Sequence, residues 1–382
     1  MLSLYIKLLI GTSRYLITMV LLTIICYFVF PLQYTAIAAD SELLYDSSNV
    51  YRENSPKKEY GIEYDIINDS NETKQYQNNL IPSSLIKPPR EGASAILVEK
   101  DSQTLWVYTS KNGEYTKVIQ TLCSTGEVDG PKMVEGDKKT PEGIYFIKQI
   151  YEDRFLTPIY GQRAFTTDYP NFFDKKVGKT GSAIWIHGTN KRLKPMDSNG
   201  CIAMNNDDVI KLDPYIVIDE TPVIIMKRLD YASIETTMTQ RSDILDFLFK
   251  WIESLNKGSY LDYLFNYDSE YMPDVRWWAQ WVDIRSRTAV STNPVKAQFE
   301  YVGIYKHTDH FVVIMDFQVS SRYRKISVGN RKLFISNRNS RGNSSYIDNS
   351  YKIIGDVFQN IGIGKVDREA NHFIAAAAQL DG

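Results

Sequence analysis

From Ala93 onward the chain alternates short apolar runs with polar turns. Ala95-Ile96-Leu97-Val98 and Leu105-Trp106-Val107-Tyr108 flank the polar Glu99–Gln103 stretch, which predicts a hairpin. Val118 to Cys123 reads as a third strand, and Gly143 to Lys148 as another after the turn Thr140-Pro141-Glu142-Gly143. Ala183 to Ile186 and Val223 to Met226 complete a β-rich domain over 93–228, with a short helix starting at Asn206. Residues 229–240 read as a polar linker. Beyond it, Ile244, Leu245, Leu248, Phe249, Trp251, Ile252 and Leu255 recur at helical spacing. Tyr260 to Tyr271 and Trp277 to Ile284 predict further short helices. Strands are expected over Val295–Lys306, Phe311–Ser320, Lys325–Ser336 and Tyr351–Phe358. Helices followed by a meander predict a separate α+β domain over 241–360. Residues 361–382 read as a tail, and there are no internal repeats.

The first 39 residues differ in kind. Lys7 and Arg14 precede an apolar run from Tyr15 to Phe30, the next charge is Asp40, and Ala36-Ile37-Ala38-Ala39 makes a small-residue exit. This is the pattern of a signal peptide or an N-terminal membrane anchor. Either implies an exported protein of the periplasm or cell envelope, with membrane contact if the segment is retained. Residues 40–92 are polar, carry no sustained period, and read as a flexible linker.

Composition narrows the possible functions. With 44 basic against 46 acidic residues, the net charge of -2 excludes a broadly basic nucleic-acid binder. The chain is 43% hydrophobic and carries 26 Tyr, 16 Phe and 6 Trp, which favours β-rich cores. Three cysteines are too few for a disulfide scaffold. Removal of the leader takes Cys26 and leaves Cys123 and Cys201.

One constellation carries chemistry. In Ile184-Trp185-Ile186-His187-Gly188, period-two alternation puts Trp185 and His187 on one face and the isoleucines on the other. Ser198-Asn199-Gly200-Cys201 follows. A thiol and an imidazole, each beside a glycine, suggest nucleophile and base, and the imidazole is expected to draw the thiol pKa down. The tight turn before Cys201 suggests backbone N–H groups that form an oxyanion hole. Alternative readings of the same residues are a packed thiol, a Cys123–Cys201 disulfide and, more weakly, a zinc site.

Elsewhere, Cys123 reads as a packed thiol, and Asp207 and Asp208 as first-turn carboxylates favoured by the helix dipole. Lys132, Lys138, Lys139, Lys191, Arg192 and Lys194 read as mostly solvated cations on flanking loops. His307 and His310 read as exposed residues beside a hairpin turn.

The order and spacing of several motifs resemble the L,D-transpeptidases with a YkuD-type catalytic domain. They are Ser124-Thr125-Gly126, Gly136 to Gly143, Tyr160-Gly161, Asp168-Tyr169-Pro170-Asn171, Ile184 to Gly188, and Ser198 to Met204. The resemblance implies a β-sandwich, a Cys201 nucleophile, a His187 base oriented by the Gly188 carbonyl, and an oxyanion loop of Ser198, Gly200 and the Cys201 amide. It implies peptidoglycan stem peptides as substrates and no metal or organic cofactor. Two positions depart from the common pattern: Asn199 where the family has His, and Ala203 where it has Arg. The Cys-x-Ala-Met ending resembles the YafK-like subgroup, some of whose members hydrolyse peptidoglycan–lipoprotein links. Water, an amine, or a wall-linked protein or lipoprotein therefore all stand as reaction partners. A non-catalytic wall-binding protein is the alternative of another class. The C-terminal element order resembles the cone-like nuclear transport factor 2-like (SnoaL-like) fold, which implies a binding module.

Overall fold

The computed structural model describes residues 80–273, 275–289, 294–322, 324–337, 351–359 and 379–380. The expected leader, residues 40–79 of the expected linker, and most of the expected tail lie outside the described residues.

The catalytic-type region is one eight-stranded sheet. Its strands are β3 (Ser94–Glu99), β4 (Thr104–Lys111), β5 (Glu114–Leu122), β6 (Gly143–Glu152), β7 (Arg163–Thr167), β8 (Trp185–Thr189), β9 (Ile202–Asn205) and β10 (Pro222–Met226). They lie in the order β5-β4-β3-β10-β6-β7-β8-β9. The sheet curls so that its edges meet, with Ser124, just past β5, bridging Ala203 in β9. Inside the curl, Ile96, Val107, Tyr145, Phe165, Ile186, Ile202 and Val223 form one core. Two short helices flank the sheet: α1 (Phe172–Lys176), capped by Asn171 accepting from the Asp174 amide, and α2 (Asn206–Ile210).

The second sheet is built from β12 (Lys296–His307), β13 (His310–Ser320), β14 (Lys325–Asn337) and β15 (Tyr351–Gln359), all antiparallel, with bounds close to those expected. Against one face pack α3 (Ile234–Asn256), α4 (Tyr260–Leu264) and α5 (Val275–Thr288). Of the apolar positions read in the sequence, Ile244, Leu248, Trp251, Ile252 and Leu255 form the buried stripe of α3 together with Phe247, whereas Phe249 is exposed.

Two segments differ from the expected linkers. Leu80–Pro82 (β1) pairs with Tyr231–Ser233 (β11), and Leu85–Lys87 (β2) adds a fifth strand beside β12. Residues 229–240 are likewise structured, since α3 begins at Ile234 with Ser233 as its N-cap. Their strand partners lie far away in the chain, so a local reading of hydropathy does not register these pairings.

A third core joins the two sheets. Leu97, Trp106, Phe146 and Ile224 from the first meet Tyr305, Val312, Ile314 and Phe334 from the second. This explains why Ala95–Val98 and Val223–Met226 are continuous apolar runs: both faces of these strands are covered.

Candidate active site

Strand β8 pairs in parallel with β9, with Ile186 opposite Ile202 and His187 opposite Ala203. Cys201 sits one residue before β9. By the two-residue alternation it lies on the same face as Ala203, and so on the His187 face, diagonal to the imidazole. Ile186 of β8 and Ile184 just before it point into the core, as expected. On the open face, a row runs across the sheet through Tyr151, Ala164, His187 and Ala203.

The imidazole is buried, and its Nδ1 lies 2.6 Å from Gly188 O. A carbonyl only accepts, so Nδ1 carries the proton and Nε2 is the basic nitrogen. Burial pushes the His187 pKa down, and its bond to Gly188 works in the opposite direction. For Cys201, burial raises the thiol pKa, with a backbone hydrogen bond at Trp185 and the charge of Lys132 offsetting part of the rise. This corrects the expectation of a depressed thiol: desolvation outweighs its neighbours. Cys201 Sγ donates to Ala183 O at 3.4 Å.

The turn before Cys201 is tied internally. Ser198 Oγ donates to Cys201 O at 2.6 Å and accepts from Gly200 N at 3.1 Å. The Gly200 amide is thus engaged by Ser198. Gly200 has φ +119°, and a Cβ there would lie 2.7 Å from Lys139 O. Only glycine fits. Asn199 is exposed.

Several supports were not legible as such in the sequence. Thr140, read as part of a turn, is fully buried; its hydroxyl donates to Gly200 O (2.9 Å) and accepts from Gly126 N (2.8 Å). The buried Gln103 side chain accepts from Thr125 N and Met196 N, both at 2.9 Å, joining the two loops behind the thiol. Lys100 is buried and donates to Gly130 O, Thr140 O and Glu142 Oε1. Lys132, expected to be solvated, is buried too, bonded to Val134 O (3.0 Å) and Asp137 Oδ1 (2.8 Å). Burial opposes the Asp137 charge. Hydrogen bonds from Lys132 and from the amides of Met133, Val134 and Lys139 nevertheless hold its carboxyl well below the usual carboxylate range. Nothing in residue type alone separates such a lysine from its solvated neighbours.

Cys123 and Cys201 are both free thiols, and Cys123 is buried as expected. Asp207 and Asp208 occupy the first turn of α2. His307 and His310 are half-buried, not exposed, and border a cavity of about 210 Å³ between the two sheets, lined also by Glu142, Phe173, Asp174 and Lys179. Among the described residues no cluster of three or more His, Cys, Asp or Glu is placed to hold a metal, and no helix is long and apolar enough to cross a membrane.

Residues 93–225, the curled sheet with its imidazole in β8 and its thiol just before β9, match the YkuD family, the L,D-transpeptidase catalytic domain. Among individual proteins, the chain is similar to a candidate L,D-transpeptidase, YafK of Escherichia coli K12. The two are 26% identical over 146 residues, which is 38% of this chain and 52% of YafK. The chain thus matches about half the length of that curated relative. Among solved structures it is similar to Bd1075 of Bdellovibrio bacteriovorus, with TM-score 0.61 and 26% identity over 74% of this chain and 99% of that one. It is also similar to the helical cell shape determining protein Pgp2 of Campylobacter jejuni, with TM-score 0.56 and 25% identity over 72% and 95%. Both likenesses extend well beyond the YkuD-matching region.

Proposed function

We propose that this protein is an exported cysteine acyltransferase acting on peptidoglycan stem peptides. The observation that carries the reading is the β8–β9 register, with His187 and Cys201 on one face and Nδ1 of the imidazole held on Gly188 O. When substrate excludes water, His187 Nε2 takes the Cys201 proton and the thiolate attacks a stem-peptide carbonyl. A C–S bond forms, the C–N bond to the terminal residue breaks, and the imidazolium returns the proton to the leaving amine. An acceptor amine then attacks the thioester. The new C–N bond replaces the C–S bond, and the thiol recovers a proton.

A second reading has water as the acceptor. It is favoured by Ala203, whose methyl lies opposite His187 where the family commonly has an arginine that can hold a carboxylate. An acceptor that is not held competes poorly with water. The C-terminal helices and sheet act in either reading as a cone-like, nuclear transport factor 2-like docking module. The similarity to a cell shape protein supports a role in wall remodelling.

The test is to incubate the protein with a disaccharide-tetrapeptide, with and without excess amine acceptor, and identify products by mass spectrometry. Cross-linked dimer supports the transpeptidase; trimmed peptide unaffected by amine supports the hydrolase. Loss of both products in Cys201→Ala and His187→Ala, with Cys123→Ala active, is expected. Undiminished turnover in Cys201→Ala overturns the mechanism.

A further inference from the structure

The imidazole of His187 ends an aromatic column. Tyr151 stacks on Trp185 at 5.7 Å and 18°, Trp185 meets Tyr160 at 5.0 Å, and Tyr160 meets His187 at 5.0 Å and 88°. Tyr151 and Trp185 are held by strands, whereas Tyr160 comes from the connection between β6 and β7, in the short turn Pro158–Tyr160. A set of side-chain amides fastens this connection on both sides of the ring. Asn206 Oδ1 accepts from Gln162 N (3.1 Å), Asn206 Nδ2 donates to Asn190 Oδ1 (2.7 Å), and Asn190 Nδ2 donates to Pro158 O (2.8 Å). Gly161, at φ +64°, lets the connection lie against β8: a Cβ there would be 2.1 Å from Asn206 Oδ1 and 2.6 Å from the Gly188 carbonyl carbon. That carbonyl is the one His187 Nδ1 bonds.

The cross-strand neighbours of His187 are Ala164 and Ala203, whose methyl groups are too short to fix the tilt of a ring. A single bond to the adjacent residue's carbonyl leaves the imidazole plane poorly determined without a further contact. We propose that Tyr160 is a positioning residue for His187, and that the Asn190–Asn206 clasp holds Tyr160 in place. The catalytic part of this inference rests on the proposed function. The structural part, that Tyr160 sets the His187 ring, stands apart from it.

The experiment combines kinetics on the disaccharide-tetrapeptide with nitrogen-15 NMR of the His187 ring, using the full chain. Tyr160→Phe keeps the ring and should match wild type in both readouts. Tyr160→Leu should lower kcat by about 10- to 100-fold with KM changed less than about threefold, the signature of a misplaced group. The same variant should turn the single Nδ1–H tautomer into a mixture and move the pH–rate profile. Asn190→Ala and Asn206→Ala should shift both readouts the same way but less. Their double variant should be no worse than the stronger single, because they act in one chain. If Tyr160→Leu does not fold, the two asparagine variants, whose side chains lie nearer the surface, decide the matter. A wild-type His187 spectrum in Tyr160→Leu, or in both asparagine variants if it does not fold, overturns the proposal whatever the rate. Wild-type turnover in His187→Ala instead overturns the catalytic reading and leaves the NMR test of positioning intact.

Discussion

Lys332 of β14 and Asp168, which follows β7, meet at 2.9 Å across the boundary between the two sheets. The other Asp168 oxygen accepts from Phe146 N at 2.9 Å, and the Lys332 ammonium lies 3.7 Å from the centre of the Phe146 ring. Burial lowers the Lys332 pKa while Asp168 works against that shift. Removing one partner leaves a buried charge uncompensated. Asp168→Ala should cost about 3–5 kcal/mol in denaturant unfolding, whereas the double change Asp168→Ala with Lys332→Met should recover much of it. Equal losses in the two variants would show that the pair contributes no mutual compensation.

The shared core makes a second prediction about fragments. A polypeptide of residues 93–228, which the sequence reading treats as a self-contained domain, would expose Leu97, Trp106, Phe146 and Ile224. It should bind a hydrophobic dye and aggregate more readily than the full chain, as measured by fluorescence and light scattering. A monomeric, dye-silent fragment would mean that this face tolerates water.

The turn before the thiol should be intolerant of small changes. Gly200→Ala forces a Cβ into the Lys139 carbonyl at a left-handed φ, and should cost about 1–3 kcal/mol and most of the turnover. Ser198→Ala loses two hydrogen bonds and should cost about 1–3 kcal/mol. Thermal melts beside muropeptide assays check both.

Thiol labelling should separate Cys123 from Cys201 in the chain without its first 39 residues, which hold Cys26. Burial pushes Cys123 up to about 12 and raises Cys201 as well, though the latter is only half-buried and Lys132 offsets part of its rise. In the free protein, iodoacetamide should modify Cys201 alone. Its rate should climb with pH to a midpoint above the ordinary thiol value of about 8.5. Peptide mapping after timed labelling gives the order; a plateau already reached at pH 6 would indicate a preformed ion pair.

His307 should make stability sensitive to mild acid. Its pKa is lowered chiefly by burial, with Glu142 and Asp174 raising it and His310 and Lys179 lowering it. Below the unfolded value of about 6.5 the unfolded chain binds the extra proton and the folded one does not. Stability therefore rises with pH up to that value and is lost below it. His307→Gln should flatten the slope between pH 5 and pH 6.5 in denaturant titrations, leaving the part due to His187.

The local parts of this protein were legible in its sequence. Strands β3, β12, β13, β14 and β15 and the buried stripe of α3 announce themselves because each buries a face whose period is written in residue type. Cys201, His187 and the glycines beside them were recognisable because a thiol, an imidazole and a φ-positive turn are rare chemistry at fixed spacing. Tertiary structure decided the rest. It enlisted Leu80–Pro82, Leu85–Lys87 and Tyr231–Ser233 as strands, since the backbone partners of each lie far away in the chain. It buried Lys100, Lys132 and Lys332, whose charges meet Glu142, Asp137 and Asp168 respectively, the last 164 residues away in the chain. It also pushed the Cys201 thiol up and the His187 imidazole down, because desolvation depends on everything packed around a group, and no window of sequence contains that.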